Sequence, residues 1–277
     1  MVAFQVDEDS NDKGQTMNGT SDGLAVIVGG ANGIGAATAS LMVERGWQVV
    51  IADLDGAAAN RMATEIGATG LYMDIADETS VGDAVATIEK DIGPVSALVV
   101  AAAVFQDIVP SEKQQKSVWD EVLSVNLGGT FLANRTFGRY MVERGRGSIV
   151  NLASIAALGS MPAEAYATSK AGVVQLSKNL AGEWGRSGIR VNTVSPGSTL
   201  VPRVEERLKS GRYAGDPGEF TALGRMVRPR EVAEAIEFLA SARASAITGV
   251  NLVVDAGWQV ASTWAQFGGV RPPGSST

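Results

Sequence analysis

From Leu24 onward the sequence alternates between two textures, and that alternation leaves few folds open. Short apolar, β-rich runs fall at residues 24–28, 48–53, 69–73, 97–101, 148–152, 190–194 and 251–254. Longer stretches with helical spacing lie between them, at 33–45, 57–66, 78–91, 118–143, 163–184 and 230–242. Runs that are apolar on both faces belong in strands covered on both sides, and helices between them supply the crossovers that parallel strands need. The pattern predicts an α/β fold, a doubly wound three-layer sandwich around a seven-stranded parallel sheet. No shift in composition divides residues 23–258, so they are expected to form one domain. Segment 198–228 interrupts the rhythm with scattered Gly, Pro and mixed charge, which marks it as a lid. Its charges (Arg203, Glu205, Glu206, Arg207, Lys209) suggest a solvated helix face. The tail, 259–277, has a non-helical look.

Composition narrows the chemistry. The 277 residues include no histidine and no cysteine, which excludes Ser-His-Asp and Cys-His machinery, disulfides and the usual zinc ligands. No metal site is expected. Proton transfer near neutral pH then falls to Tyr, Lys, Asp, Glu or a cofactor. The net charge is −7, and residues 1–22 hold five acids (Asp7, Glu8, Asp9, Asp12, Asp22) against one base, Lys13. That segment is expected to be a disordered acidic extension. The remainder is close to neutral, so neither nucleic acid nor an anionic membrane is an expected partner. The longest strongly apolar stretch, 97–105, has nine residues, against about 20 for a membrane-spanning helix. No secretory signal is visible, and a reducing, cytoplasmic setting is expected.

Three constellations carry chemistry. The first is the turn Gly29-Gly30-Ala31-Asn32-Gly33-Ile34-Gly35 between the first strand and the first helix. Glycine permits the sharp turn and the close approach of a pyrophosphate, and free N–H groups at the helix start can bind it. The second is Asp53, at the end of the second strand and 18 residues beyond Gly35. An acid there suits adenosine ribose hydroxyls and repels a 2′-phosphate, and Leu54-Asp55 brings no Arg to reverse this. NAD is thus favoured over NADP. Asp55 fits the cap of the next helix, leaving Asp53 for the ribose. The third is Tyr166-Ala167-Thr168-Ser169-Lys170, with Tyr and Lys on one helical face. An ammonium beside the phenol, helped by a positive nicotinamide, favours phenolate and makes the Tyr a usable base. Ser154, just past the strand ending at Leu152, can hydrogen-bond a substrate oxygen, or else merely bond its own backbone in a turn.

Taken in order, these pieces resemble the short-chain dehydrogenase/reductase family over residues 24–258. The matching elements are Gly29, Gly33-Ile34-Gly35, Asp53, Asp74, Asn126 in Val125-Asn126-Leu127, Ser154, Tyr166 with Lys170, and Ser195-Pro196-Gly197. The resemblance implies a Rossmann-like fold and an NAD-dependent oxidoreductase that interconverts a small secondary alcohol and its ketone. It implies that Tyr166 is the general acid/base, Lys170 lowers its pKa and holds the nicotinamide ribose, Ser154 orients the substrate oxygen, and Asn126 anchors a water between Lys170 and solvent. It further implies a cofactor groove made of Gly29, Asn32, Gly33, Ile34, Gly35, Asp53, Leu54, Asp74, Ile75, Ala101, Ala102, Tyr166, Lys170, Pro196, Gly197 and Thr199. The substrate pocket would be lined by Phe105, Gln106, residues 155–161 and the lid, and the assembly would be a homotetramer. Trp258 and Trp264 are expected to pack, with a place in a pocket, this chain's or a neighbour's, as the alternative.

The sequence also departs from the family's pattern. Val28 stands where the family's first strand usually ends in Thr, and Val100-Ala101-Ala102-Ala103 stands where it usually has Asn-Asn-Ala-Gly. These changes are expected to be coupled, an apolar contact replacing a hydrogen-bonded one, because removing both partners of a bond can be nearly neutral. A dehydratase or epimerase on the same scaffold, and a non-catalytic dinucleotide-binding regulator, are the other readings.

Overall fold

The computed structural model describes residues 23–271 except 212 and 214. The acidic extension therefore lies outside the described residues, as do the last six residues of the tail. Seven strands, β1 (Leu24–Val28), β2 (Gln48–Asp53), β3 (Thr69–Tyr72), β4 (Val95–Val100), β5 (Gly147–Leu152), β6 (Ile189–Pro196) and β7 (Asn251–Val254), form one parallel sheet in the order β3-β2-β1-β4-β5-β6-β7. Strand order reverses between β1 and β4. In open α/β sheets, that switch point at the carboxyl ends of the strands is where a ligand crevice opens.

The helices are α1 (Gly33–Glu44), α2 (Gly56–Ile66), α3 (Glu78–Thr87), α4 (Lys116–Leu123), α5 (Thr130–Arg144), α6 (Glu164–Trp184), α7 (Pro202–Lys209), α8 (Pro229–Ala240) and α9 (Trp258–Ala261). Two cores result, one on each face. Met42 of α1, Ala63 of α2 and Ile236 of α8 pack on Ala25, Ile27 and Val49, while Val85 of α3 and Phe137 of α5 pack on Val26, Val28 and Leu98. Alternate residues of β1 thus feed opposite cores, as a strand buried on both faces must. Local signals fix the helix ends. Asp55 accepts from the Ala58 N–H at 2.9 Å and Asp77 from Thr79 at 2.8 Å, each an N-cap. Gly67 and Gly145 end α2 and α5 in left-handed conformation.

Two expectations need correction. The stretch expected as one helix over 118–143 is α4 and α5 joined by a π-turn, Ser124–Gly129. Its glycine pair lets the backbone pass close to Ile75, whose side chain would meet a Cβ on Gly129 at 2.8 Å. The tail is helical at first, through α9 and a 3₁₀ segment, Ser262–Phe267; its Gly and Pro lie beyond that turn. The lid holds α7, in keeping with the helix face expected there, and a 3₁₀ turn, Pro217–Phe220. Its base is pinned where Thr199 bridges Val227.

Candidate active site

The glycine turn leaves β1 and enters α1 with almost no room to spare. Gly29 has φ +77°, and a methyl built on Gly35 would run into the Gly29 carbonyl oxygen. Only glycine fits both requirements. The start of α1 is left open: Asn32 makes no side-chain cap and no acid stands in the first turn. Asp53 reaches the turn from the end of β2. Its carboxylate accepts from the Ala31 N–H at 3.0 Å and from the Asp55 N–H at 3.1 Å. Leu54 beside it is 64% exposed. Asp74 accepts from Ala76 N–H at 2.9 Å beyond β3, whereas the Ile75 side chain is buried in the core.

The departures at Val28 and 100–103 are neighbours. Val28 pairs with Val100, and the N–H groups of Ala101 and Ala102 both donate to the Val28 carbonyl, at 2.8 and 3.0 Å. Val28 and Ala102 share one apolar cluster. The expected coupling thus has the proximity it requires, with main chain supplying the hydrogen bonds. Ala103 is exposed.

Beyond β5, Ser154 accepts from the Ala156 N–H at 3.1 Å and also hydrogen-bonds Tyr166. The backbone bond weighed for it is therefore present, and its contact with Tyr166 sets its hydroxyl beside the phenol. Tyr166 and Lys170 lie one turn apart on α6. The Lys170 ammonium sits 5.7 Å from the Tyr166 ring centroid and donates to the Leu152 carbonyl at 2.8 Å. Burial, and secondarily the charge of Arg203, bring Lys170 down to about 8. It is therefore mainly an ammonium at pH 7. Tyr166 runs against expectation. Burial pushes its phenol above the ordinary value, opposed by the Ser154 hydrogen bond and by Arg203 rather than by Lys170. In the protein alone Tyr166 holds its proton at neutral pH, although part of the residue keeps contact with solvent.

Asn126 is fully buried in the π-turn. Such single π-turns in long helices often mark functional positions. Its Oδ1 accepts from the Val104 N–H at 2.8 Å, and its Nδ2 donates to the Val104 carbonyl at 2.9 Å and to Ser169 Oγ at 3.1 Å. The side chain is thus committed to fastening the chain after β4 onto α6, and it makes no bond to Lys170. Gln106, expected to line a pocket, is buried instead. Its Oε1 accepts from the Tyr166 N–H at 2.9 Å and its Nε2 donates to Gln114 at 2.8 Å. The missed signal was an amide directly after the apolar run 97–105, able to satisfy an open N–H at the start of α6. Pro196 ends β6, Gly197 packs a Cβ's width from Asp255, and the buried Thr199 donates to the Gly197 carbonyl at 2.9 Å.

The lid charges keep much of the expected solvated face: Arg203, Glu206 and Lys209 are exposed, while Glu205 and Arg207 are half-buried. Arg203 and Arg207 also share a contact. Both guanidiniums lie over the Phe105 ring, at 4.7 and 5.0 Å, and that ring meets Tyr166 at 4.5 Å between centroids. Two hollows elsewhere carry no catalytic group. One of about 450 Å³ near Arg190 and Ser245 lies at the amino end of β6, opposite the strand ends that open the crevice. The other, about 340 Å³, lies between Ser111, Trp119 and Glu164.

A family model described as enoyl-(acyl carrier protein) reductase matches residues 29–259. The chain is 37% identical over 243 residues to D-threitol dehydrogenase of Mycolicibacterium smegmatis, covering 86% of this chain and 93% of that protein. The chain belongs to the short-chain dehydrogenase/reductase family. Within that family it is also 37% identical over 247 residues to cis-4-hydroxycyclohexanecarboxylate dehydrogenase of Sinomonas cyclohexanicum, covering 85% of this chain and 96% of that one. Among solved structures, one described as ribose-5-phosphate isomerase from Brucella melitensis 16M superposes with a TM-score of 0.89 at 43% identity, covering 91% of this short-chain dehydrogenase/reductase and 98% of its counterpart. Among the described residues no cluster of potential metal ligands occurs, and no helix is long and apolar enough to cross a membrane.

Proposed function

We propose that this chain interconverts a small secondary alcohol and its ketone, with NAD as hydride carrier and Tyr166 as general acid/base. That it is an NAD(P)-dependent dehydrogenase acting on CH–OH groups follows from its relatives, two of which are named as dehydrogenases of alcohols. The observation that carries the finer reading is the placement of Ser154, Tyr166 and Lys170 together beside the strand ends, across from the open start of α1.

The residues fit a dinucleotide. The uncapped, acid-free start of α1 is suited to a pyrophosphate, with Gly29, Asn32, Gly33, Ile34 and Gly35 giving main chain close approach. Asp53, already anchored by two N–H donors, keeps a carboxylate at the place of the ribose hydroxyls, and Leu54 next to it brings no cation for a 2′-phosphate. This supports NAD over NADP. Asp74, the main chain at Ile75, Ala101 and Ala102, and the Pro196-Gly197-Thr199 loop complete the groove. NAD, when bound, supplies the hydride acceptor and a positive ring beside Tyr166.

The chain's own residues manage the proton. Tyr166 takes it from the substrate hydroxyl in oxidation and returns it in reduction. Ser154 donates to the same oxygen and holds it against the phenol. Lys170, an ammonium fixed by the Leu152 carbonyl, contributes positive charge and a ribose donor. Asn126 acts as a positioning residue, tying the segment after β4 to Ser169 of α6. A cytoplasmic homotetramer is our reading of the assembly, and sedimentation tests its size.

The test is a panel of secondary alcohols with NAD⁺ and NADP⁺, followed by absorbance of the reduced nicotinamide. Stoichiometric NADH is expected. Turnover without net NADH would favour a dehydratase or epimerase, and a preference for NADP⁺ of tenfold or more, about 1.4 kcal/mol, would overturn the role of Asp53.

A further inference from the structure

We propose that the alcohol accepted at this site carries an anionic group, a carboxylate or a phosphate monoester, held by the guanidinium pair Arg203 and Arg207. The inference rests on the dehydrogenase reading and deepens it. Arg203 and Arg207 lie four residues apart on α7, so one helix face presents both. They stand over one ring, Phe105, which itself stacks on Tyr166. Each guanidinium is drawn to the ring, yet the two repel one another, and an anion held between them would offset that repulsion. The protein offers little of its own. Arg207 has only Asp107, at 3.9 Å, whose side chain is 88% exposed. Among the described residues Arg203 has no hydrogen bond and no ion pair, and its only described partner is the Phe105 ring.

The forks retain unused N–H donors in the planar geometry that matches carboxylate and phosphate oxygens. Their place is also specific. The charge of Arg203 acts on both Tyr166 and Lys170, so the pair shares the electrostatic surroundings of the reacting oxygen. Tyr166 is faced by Arg203 from α7 and by Ser154 from the turn after β5, and Lys170 by Arg203; Arg207, with Asp107 at 3.9 Å, stands on the Phe105 ring next to them. In a nearly neutral domain, the pair sets positive charge beside the Phe105 and Tyr166 rings. The pinned base of the lid, Thr199 against Val227, holds α7 over that point.

The experiment uses the NAD⁺-loaded protein and matched sets of four- to six-carbon substrates. Each set comprises a neutral polyol, its aldonic acid and its terminal phosphate monoester. The kcat/KM for at least one anionic member should exceed that of the neutral one tenfold or more, and the ratio should fall as salt is raised. In the double variant Arg203→Gln/Arg207→Gln the ratio should collapse at least tenfold, with Arg207→Lys intermediate. Whichever of aldonate or phosphate ester is preferred identifies the anion. A ratio at or below one, or a ratio that survives the double substitution, overturns the proposal while leaving the dehydrogenase reading intact. Absence of oxidation for every substrate with either cofactor speaks against the dehydrogenase reading instead. The anion claim then rests on calorimetric titration of the aldonate and the phosphate ester, where heat lost in the double variant supports it and no heat with wild type overturns it. If the double variant does not fold, as judged by NAD⁺ affinity and circular dichroism, the two single variants carry the same comparison.

Discussion

At the β1–α1 turn the site is made of main chain, whereas around Tyr166 it is made of side chains gathered from several separate elements. The first region works through glycines, free N–H groups and one carboxylate, all within 30 residues of sequence. The second draws Phe105 from beyond β4, Ser154 from beyond β5, Tyr166 and Lys170 from α6, and Arg203 from the lid. A site of backbone is specified by where side chains are absent, so one added methyl destroys it. A site of side chains is graded, because each group contributes a separable part.

The sharpest way to break the first region is Gly35→Ala. Its methyl would meet the Gly29 carbonyl, so the turn must open. NAD⁺ affinity measured by fluorescence titration should fall at least a hundredfold. In the second region, Gln106→Leu removes the acceptor of the Tyr166 N–H. Leaving that donor unpaired costs about 1–3 kcal/mol, seen as a melting temperature lower by about 2–8 °C. Because Gln106 only positions α6, kcat should fall roughly tenfold with NAD⁺ affinity unchanged, and Gln106→Glu should restore part of it.

A smaller effect is expected on the pH profile. The Arg203 charge lowers the Tyr166 pKa, against burial, which raises it. Alcohol oxidation needs the phenolate, so Arg203→Met should move the rising limb of kcat/KM to higher pH, by about one unit or less. A shift to lower pH would contradict the assignment. The smallest effect returns to the cofactor side. Ala103 is exposed next to the Ala101–Ala102 segment that bonds Val28. Ala103→Gly should tighten NAD⁺ binding a few-fold if the methyl enters the groove, and no gain would place that methyl outside it.

The contrast also explains what was legible in the sequence. Strand runs and helix periods gave the sheet nearly to the residue, because strands buried on both faces leave continuous apolar text. Asp55 as a cap was readable for a local reason, since it acts within three residues. The burial and hydrogen-bonding duty of Asn126 were readable too, but the partners of Gln106, Asn126 and Arg203 were not. Gln106 bonds a group 60 residues away and Asn126 one 43 residues away, so no local pattern records the partner. Arg203 is an exposed cation as its text suggests, but its contact with Phe105 was hidden because that ring arrives from another element. In the protein without cofactor the phenol's direction is likewise set by non-local packing. Burial is a property of the assembled site, and it outweighs the neighbouring charge on Tyr166.

The central claim is that Tyr166 moves the proton at a site where NAD is held by other residues. Single-turnover oxidation of the preferred alcohol by wild type and Tyr166→Phe, with NAD⁺ affinity measured on the same samples, tests it directly. The account predicts a rate lower by about 10²–10⁴ with NAD⁺ affinity within threefold. A Tyr166→Phe enzyme that binds NAD⁺ normally and oxidises the alcohol within tenfold of wild type would contradict it.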